Sequence, residues 1–311
     1  MWTIGSLLIR AAVVLSGTAI ATFALLWSAP GDPAQAIAIA RYNTFATEGF
    51  IDEVRAQAGL DSGFWTAFAN WAGPLMRLDF GNSSVTGRQV WPDLWAAVSY
   101  TFPLALAALV IGLVVSLPLA IIATRRPGGL VDRLAVAIAS LGVAIPAFWL
   151  GLLLILLFSV HLGWLPAMGV RTPAHAILPA VTLGLGLAAS LTRIIRSGIL
   201  EARGQPFLPA LARRGVNRRA IGCDHVAPHA AVPVVTVLGL ELAFLLEGLV
   251  TVEVIFGRPG LGSFLVSGII SRDFPHVQAV VVLTALVFVV VNLSIDLIYR
   301  ALDPRIGERD A

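Results

Sequence analysis

Apolar residues in this chain come in long runs broken by short polar or basic segments, without the strict alternation of a half-buried strand. About 20 apolar residues carry a helix across a bilayer core of roughly 30 Å. Six runs reach or approach that length, predicting helices at about 5–27, 94–124, 134–158, 176–195, 230–251 and 277–299. The first has no small-x-small cleavage pattern and reads as a retained anchor. The polar stretch after it contains "GFWTAFANWAGPLMRLDFG" (63–81), patterned as a short amphipathic helix lying on a membrane or on the bundle.

The expectation is an all-α, polytopic membrane protein with six transmembrane helices. Its parts would be an N-terminal membrane helix (1–28) and a long extracytoplasmic loop with short amphipathic helices (29–93). A five-helix core (94–300) holding a cytoplasmic loop (196–229) and a tail (301–311) would follow. Pro103, Pro118 and Pro146 fall inside predicted helices, where neighbouring groups can satisfy the carbonyl each proline frees. Gly184, Gly186, Ala188 and Ala189 would let the fourth helix approach a partner closely.

Composition agrees: 58% of 311 residues are hydrophobic and 13% charged, against about a quarter charged in soluble domains. All 21 basic residues are arginine, so no lysine-bearing phosphate loop exists and ATP hydrolysis by that route is excluded. Cys223 is alone and no Cys/His set has zinc spacing, so no metal site is expected. His161, His175, His225, His229 and His276 fall in loops or at helix edges, offering no buried nucleophile–histidine dyad and no catalytic residue. No nucleic-acid partner is expected.

Arginine placement sets an orientation. One side would carry 14 arginines, including Arg125, Arg126, Arg133 and seven between 193 and 219, and the other side 7. The positive-inside bias then puts both termini in the cytoplasm. Trp27, Trp91, Trp95 and Trp164 fall near the predicted outer edges, as interfacial indoles do.

The longest inner loop holds "LARRGVNRRAIGCDHVAPHAAVP" (211–233). A glycine between two short helices permits a sharp turn, with Arg213, Arg214, Arg218 and Arg219 on either side of Gly215. This stretch resembles the cytoplasmic loop of binding-protein-dependent ABC importer permeases, which docks into the ATPase subunit. Gly215 matches the motif's glycine, His225 a histidine of the peptide branch and Pro233 the closing proline. "APGDPAQAI", "LDFGNSSVTGRQV", "IPAFWLGLLLILLFSVHLGWLPAMG" and the run from "VEVIFGRPGLGSF" to "LDPRI" resemble the dipeptide/oligopeptide/nickel permeases. The pairing of PGDPA with LDPRI resembles the first, B-type permease of the pair.

That resemblance implies peptide import with Arg213, Arg214, Gly215, Arg218, Arg219 and His225 as the ATPase-coupling element. It implies a second homologous permease, two ATPases carrying ATP and magnesium, and an extracytoplasmic solute-binding protein, with no cofactor on this chain. Relatives carrying nickel, glutathione or haem leave the cargo open. Pro206 and Pro209 depart from the family pattern and predict a coupling helix that starts late, near Pro209, or is kinked.

Charges inside the membrane are costly and mark functional candidates. Glu241 and Glu247 lie in the fifth helix and Glu253 beyond it. Six-residue spacing turns successive carboxylates about 120° apart, so they form no single stripe. Glu241 or Glu247 is a candidate for the translocation path, meeting a cationic group of the solute, or else pairs with a neighbouring helix. Asn292, Asp296 and Arg300 share a face of the last helix, where Asp296 and Arg300 fit a structural ion pair. "FGRPGLG" (256–262) reads as an outer turn and not a phosphate loop. An ion-coupled secondary transporter using Glu241, Glu247 and Asp296 is the competing class, against which no internal repeat or broken-helix pair is evident.

Overall fold

The computed structural model describes residues 4–28, 31–42, 47–57, 61–75, 77 and 79–302. These residues are helical apart from turns and one isolated antiparallel bridge, Asn82 to Gln89. Residues 303–311, which hold all but the first residue of LDPRI, and the Arg300 side chain lie outside the described residues.

Two compact units emerge, one built from Phe102–Arg258 and the chain from Val291, the other from Trp2–Thr101 and Pro259–Val290. In the first, α5 (Val90–Ala123) supplies all but its opening turns, followed by α6 (Leu130–Ala144) and α7 (Ala147–Leu154). Next come α8 (Ile177–Arg203), α9 (Phe207–Arg213), α10 (Arg218–Ala220) and α11 (Ala227–Ile255). Leu104 and Ala108 of α5, Leu178 and Leu183 of α8, Leu245, Leu249 and Val252 of α11, and Phe256 just after it form its main core. Small residues allow this approach. A Cβ on Gly184 would stand 2.6 Å from Ile111 Cγ2 and 3.1 Å from the Ala108 carbonyl oxygen.

Four helical stretches are long and apolar enough to cross a membrane: Val90–Ala123, Pro173–Arg203, Arg218–Ile255 and Phe274–Ile298. The third predicted span is corrected. The expected single helix from 134 to 158 breaks after Ala144, and Leu130–Ala144 meets Ala147–His161 at 100°. Ile145 is extended (φ −81°, ψ 121°) because the ring of Pro146 crowds out the helical conformation for the residue before it. Counted as one broken span, the pair makes five. Beyond Leu154 the helix loosens into π-type turns, Ile155–His161. The prolines at 103 and 118 leave α5 continuous over 34 residues, about 51 Å at helical rise.

The second unit begins with α1 (Ile4–Trp27), of which Ala11–Trp27 is a shorter apolar stretch. It continues through α2 (Pro33–Tyr42), α3 (Glu48–Gln57) and α4 (Phe64–Leu75). It ends with α12 (Leu261–Ile270) and the opening of α13 (Phe274–Leu302). The amphipathic helix expected within 63–81 is α4, which sets Phe64 and Phe68 edge-to-face against Phe23 of α1 and stacks Trp71 on it. Asp32 accepts from Ala34 N–H (2.9 Å) and from Arg55 (2.6 Å), fastening α2 to α3. Gly31, at φ +97°, leaves room for the Arg272 guanidinium, which would lie 3.1 Å from a Cβ there.

A buried polar knot closes this unit. Ser83 donates its hydroxyl to Asp273 Oδ2, and Ser84 N–H donates to Oδ1 at 3.0 Å. His276 Nδ1 lies 2.6 Å from Oδ2. Burial works against the Asp273 charge, but hydrogen bonds from His276 and Ser83 outweigh it and hold the carboxyl below its ordinary range. A depressed folded-state pKa contributes stability above the unfolded value, about 3.9, and loses it as pH falls through the folded value. The purified protein should therefore lose melting temperature more steeply below about pH 4 than its Asp273→Asn variant. Parallel melting curves for the two proteins would refute this role for Asp273.

Candidate functional site: the arginine hairpin and the polar contacts behind it

α9 begins at Phe207, with Pro206 at its N-cap and Pro209 in the third helical position. The helix thus starts within two residues of the expected Pro209 and accommodates both prolines: first-turn N–H groups have no helical partner, so proline there removes nothing the helix needs. The helix ends in a Schellman turn. Val216 N–H donates to Leu211 C=O (3.2 Å) and Gly215 N–H to Ala212 C=O (3.1 Å), with Gly215 left-handed at φ +79°. A Cβ on Gly215 would touch nothing within 4 Å, so backbone conformation and not space requires glycine.

Asn217 then accepts from Arg219 N–H at 3.0 Å and starts the return limb. That limb is not a separate short helix. Arg218–Ile255 runs as one 38-residue helical stretch, with π-type turns over Ile221–Val226, straight into the membrane segment. Pro233, expected to reopen the membrane helix, sits inside α11 near Gly198, whose Cβ would stand 3.2 Å from its ring. The hairpin is seated on its parent helices by Ala202, Leu208, Val226 and Ala230, with Ile199, Leu211 and Ile221 packed around them.

Arg213, Arg214, Gly215, Arg218 and Arg219 are all exposed and meet at the tip. His225 does not join them. It is half-buried behind the tip, where Phe207 packs between His225 (6.3 Å) and His229 (5.4 Å). The tip is a cationic surface on a glycine-defined turn, seated on residues of α8 and α11.

Sequence reasoning missed a clasp beside it. Asp132, in the first turn of α6, is 2% exposed. It accepts from Arg196 Nε, from Arg196 Nη2 (2.7 Å) and from Gly128 N–H (2.7 Å). Arg203 Nη1 donates to the Thr124 carbonyl. The turn between α5 and α6 is thus tied to α8, one helical connection from the hairpin. Residues 64 positions apart carry no periodic signal of such a pair.

Within the membrane core the three carboxylates part company. Glu241 is half-buried, accepts from the Ser190 hydroxyl and lines a cavity of ≈ 160 Å³ with Gly142, Ala147, Thr182, Gly186 and Phe244. Glu247 is exposed, and Glu253 is fully buried inside α11. Gly186, expected to serve packing, opens this cavity; nothing lies within 4 Å of its missing Cβ. Asp296 is exposed on α13. Among the described residues no three His, Cys, Asp or Glu side chains converge on a metal-sized site.

Solved structures that share this helical arrangement include chains of ABC transporters. The MetNI methionine ABC transporter in an inward-facing conformation aligns with a TM-score of 0.57 and 22% identity, over 68% of this chain and 96% of that one. An amino acid ABC transporter crystallised with histidines aligns at 0.54 and 19%, over 68% and 94%. The chain belongs to the binding-protein-dependent transport system inner membrane components, a family whose profile matches residues 116–308. It is 33% identical over 307 residues to a probable peptide ABC transporter permease of Sinorhizobium fredii, covering 96% of this chain and 97% of the relative. It is 36% identical over 277 residues to the glutathione transport system permease GsiC of Escherichia coli K12, covering 89% of each. The chain is a multi-pass protein of the cytoplasmic membrane and a permease subunit of an ABC importer.

Proposed function

We propose that this permease imports peptides, as the first of two homologous permeases in a complex with two ATPases and an extracytoplasmic solute-binding protein. The observation that carries the reading is the exposed arginine tip on the Gly215 turn, rooted on two membrane helices. ATP and magnesium are held by the ATPases. Their closure is transmitted through Arg213, Arg214, Gly215, Arg218 and Arg219, while His225 with Phe207 stiffens the hairpin behind them. This chain catalyses no reaction of its own. Six spans with both termini in the cytoplasm complete the arrangement: α1 is the first, the 29–93 segment lies outside, and the broken pair counts as one.

Glu241 lies on the translocation path and meets the ammonium group that peptides share, with Ser190 holding the carboxylate in place. Glu247 plays a smaller part. Similarity to a permease named for glutathione makes that tripeptide the second reading of the cargo; it presents the same ammonium group.

Reconstitution with the partner subunits tests the proposal. Labelled dipeptides should enter liposomes only with ATP and the binding protein. Uptake by this chain alone on an ion gradient, without ATP, would sink the importer reading. In the same assay Glu241→Gln should weaken uptake of peptides with a free amino terminus more than of N-acetylated ones. Unchanged kinetics and preference would remove Glu241 from the path.

A further inference from the structure

An apolar groove of ≈ 290 Å³ opens between α5, α6, α7 and α8, lined by Val115 and Leu119 of α5, Ile138 and Leu141 of α6, and Leu185 and Ala188 of α8. Its rim belongs to a stripe on α6. Leu130, Leu134, Ile138 and Leu141 repeat at helical spacing and remain 74%, 52%, 61% and 64% exposed. Large apolar side chains left open along one face of a membrane helix contact lipid or another helix.

Charge at one end of the groove selects between them. Arg125 and Arg126 follow the last turn of α5, six residues past Leu119. Arg133 precedes Ile138 by five residues on α6, about 8 Å along the axis, and Arg193 follows Thr192, a lining residue of α8. All four arginines are exposed. Asp132 is the acid between residues 124 and 140, and it is consumed by Arg196 and the Gly128 N–H. The turn therefore presents arginines whose one acid within the turn is already engaged, about 8–9 Å along the helix axes from Leu119 and Ile138 of the groove.

We infer that this groove is a binding site for an anionic phospholipid, its phosphate held by Arg125, Arg126 and Arg133 and an acyl chain lying along Ile138 and Leu141. Phosphate suits the arginine fork, and clustered basic side chains at a membrane surface favour anionic lipid by a factor of about five each. One phospholipid engages both the groove and the arginine turn, whereas a hydrophobic helix would engage the groove alone. The site lies in the leaflet facing the ATPases if the proposed orientation holds, and its chemistry does not depend on that orientation.

The complete transporter, assembled in nanodiscs of phosphatidylglycerol and phosphatidylcholine and then stripped with detergent, should retain phosphatidylglycerol selectively when the remaining lipid is measured by mass spectrometry. An Arg125→Gln, Arg126→Gln, Arg133→Gln triple variant should lose that selectivity, by about fivefold for each arginine neutralised. Val115→Trp, filling the groove from its rim, should lose it with all the arginines present. Arg213→Gln with Arg214→Gln, at the hairpin tip, should keep it. Equal retention of both lipids by the unaltered protein, or unchanged retention in the triple variant, would overturn the assignment. So would efficient disulfide cross-linking of Leu141→Cys, in a Cys223→Ser background, to cysteines on the second permease, since a protein helix would then occupy the groove.

Discussion

Replacing Gly215 with proline is expected to abolish ATP-driven uptake and ATPase association while the permease still inserts in the membrane. Proline fixes φ near −65°, whereas this position sits at +79°. Proline also lacks the N–H that Gly215 donates to the Ala212 carbonyl. Two of the features that close the Schellman turn are lost together, at a cost of about 3 kcal/mol or more, equivalent to a population of the formed hairpin lowered about a hundredfold. The apolar seat formed by Ala202, Leu208, Val226 and Ala230 would persist around a tip pointing elsewhere. Gly215→Ala should do much less, since the missing Cβ meets no neighbour and a left-handed alanine costs about 1–2 kcal/mol. Gly215→Asn should be milder again, because asparagine visits that region readily. ATPase co-purification and uptake, ranked glycine, asparagine, alanine, proline, would bear this out. A proline variant with normal uptake would mean that the tip's geometry is not used.

That turn was legible because its determinants are local: a glycine, four flanking arginines and a helix pattern on either side. The long apolar runs were legible for the same reason, and α5, α8, α11 and α13 extend beyond the expected bounds at one or both ends. Pro146 shows where locality fails. It follows an apolar residue and lies in an apolar run, as do Pro103, Pro118 and Pro233, yet it alone among these four breaks its helix. Proline imposes the same local disturbance each time; packing of the surrounding helices decides whether the chain continues or turns. Polar partners were hidden for a related reason. Ser83 meets Asp273 across 190 positions, Arg196 meets Asp132 across 64 and Ser190 meets Glu241 across 51. Each was legible as a residue type, and Glu241 as a candidate, but its partner depends on which helix faces surround it.

Asp132→Ala should be the more damaging change to the architecture, lowering stability by about 3–5 kcal/mol, the range for a buried ion pair deprived of one member. The substitution leaves the Arg196 guanidinium, held mostly out of solvent, without its bidentate acceptor, and leaves the Gly128 N–H unmatched. The first turn of α6 then loses its tie to α8. The melting temperature of the assembled complex should fall by several degrees, with uptake declining in parallel. Arg196→Ala should cost a comparable amount by stranding the Asp132 carboxylate. Removing both should cost less than the sum, since no uncompensated charge is left behind. Exchanging the two residues, Asp132→Arg with Arg196→Asp, separates charge from geometry. It restores opposite charges but provides no acceptor for Gly128 N–H in the turn that precedes α6, so rescue should be partial. Full rescue by the exchange would show that charge balance alone matters there. Additive single-site losses would show that the two residues act independently, and the clasp would have no part in holding α6 to the helix that carries the arginine hairpin.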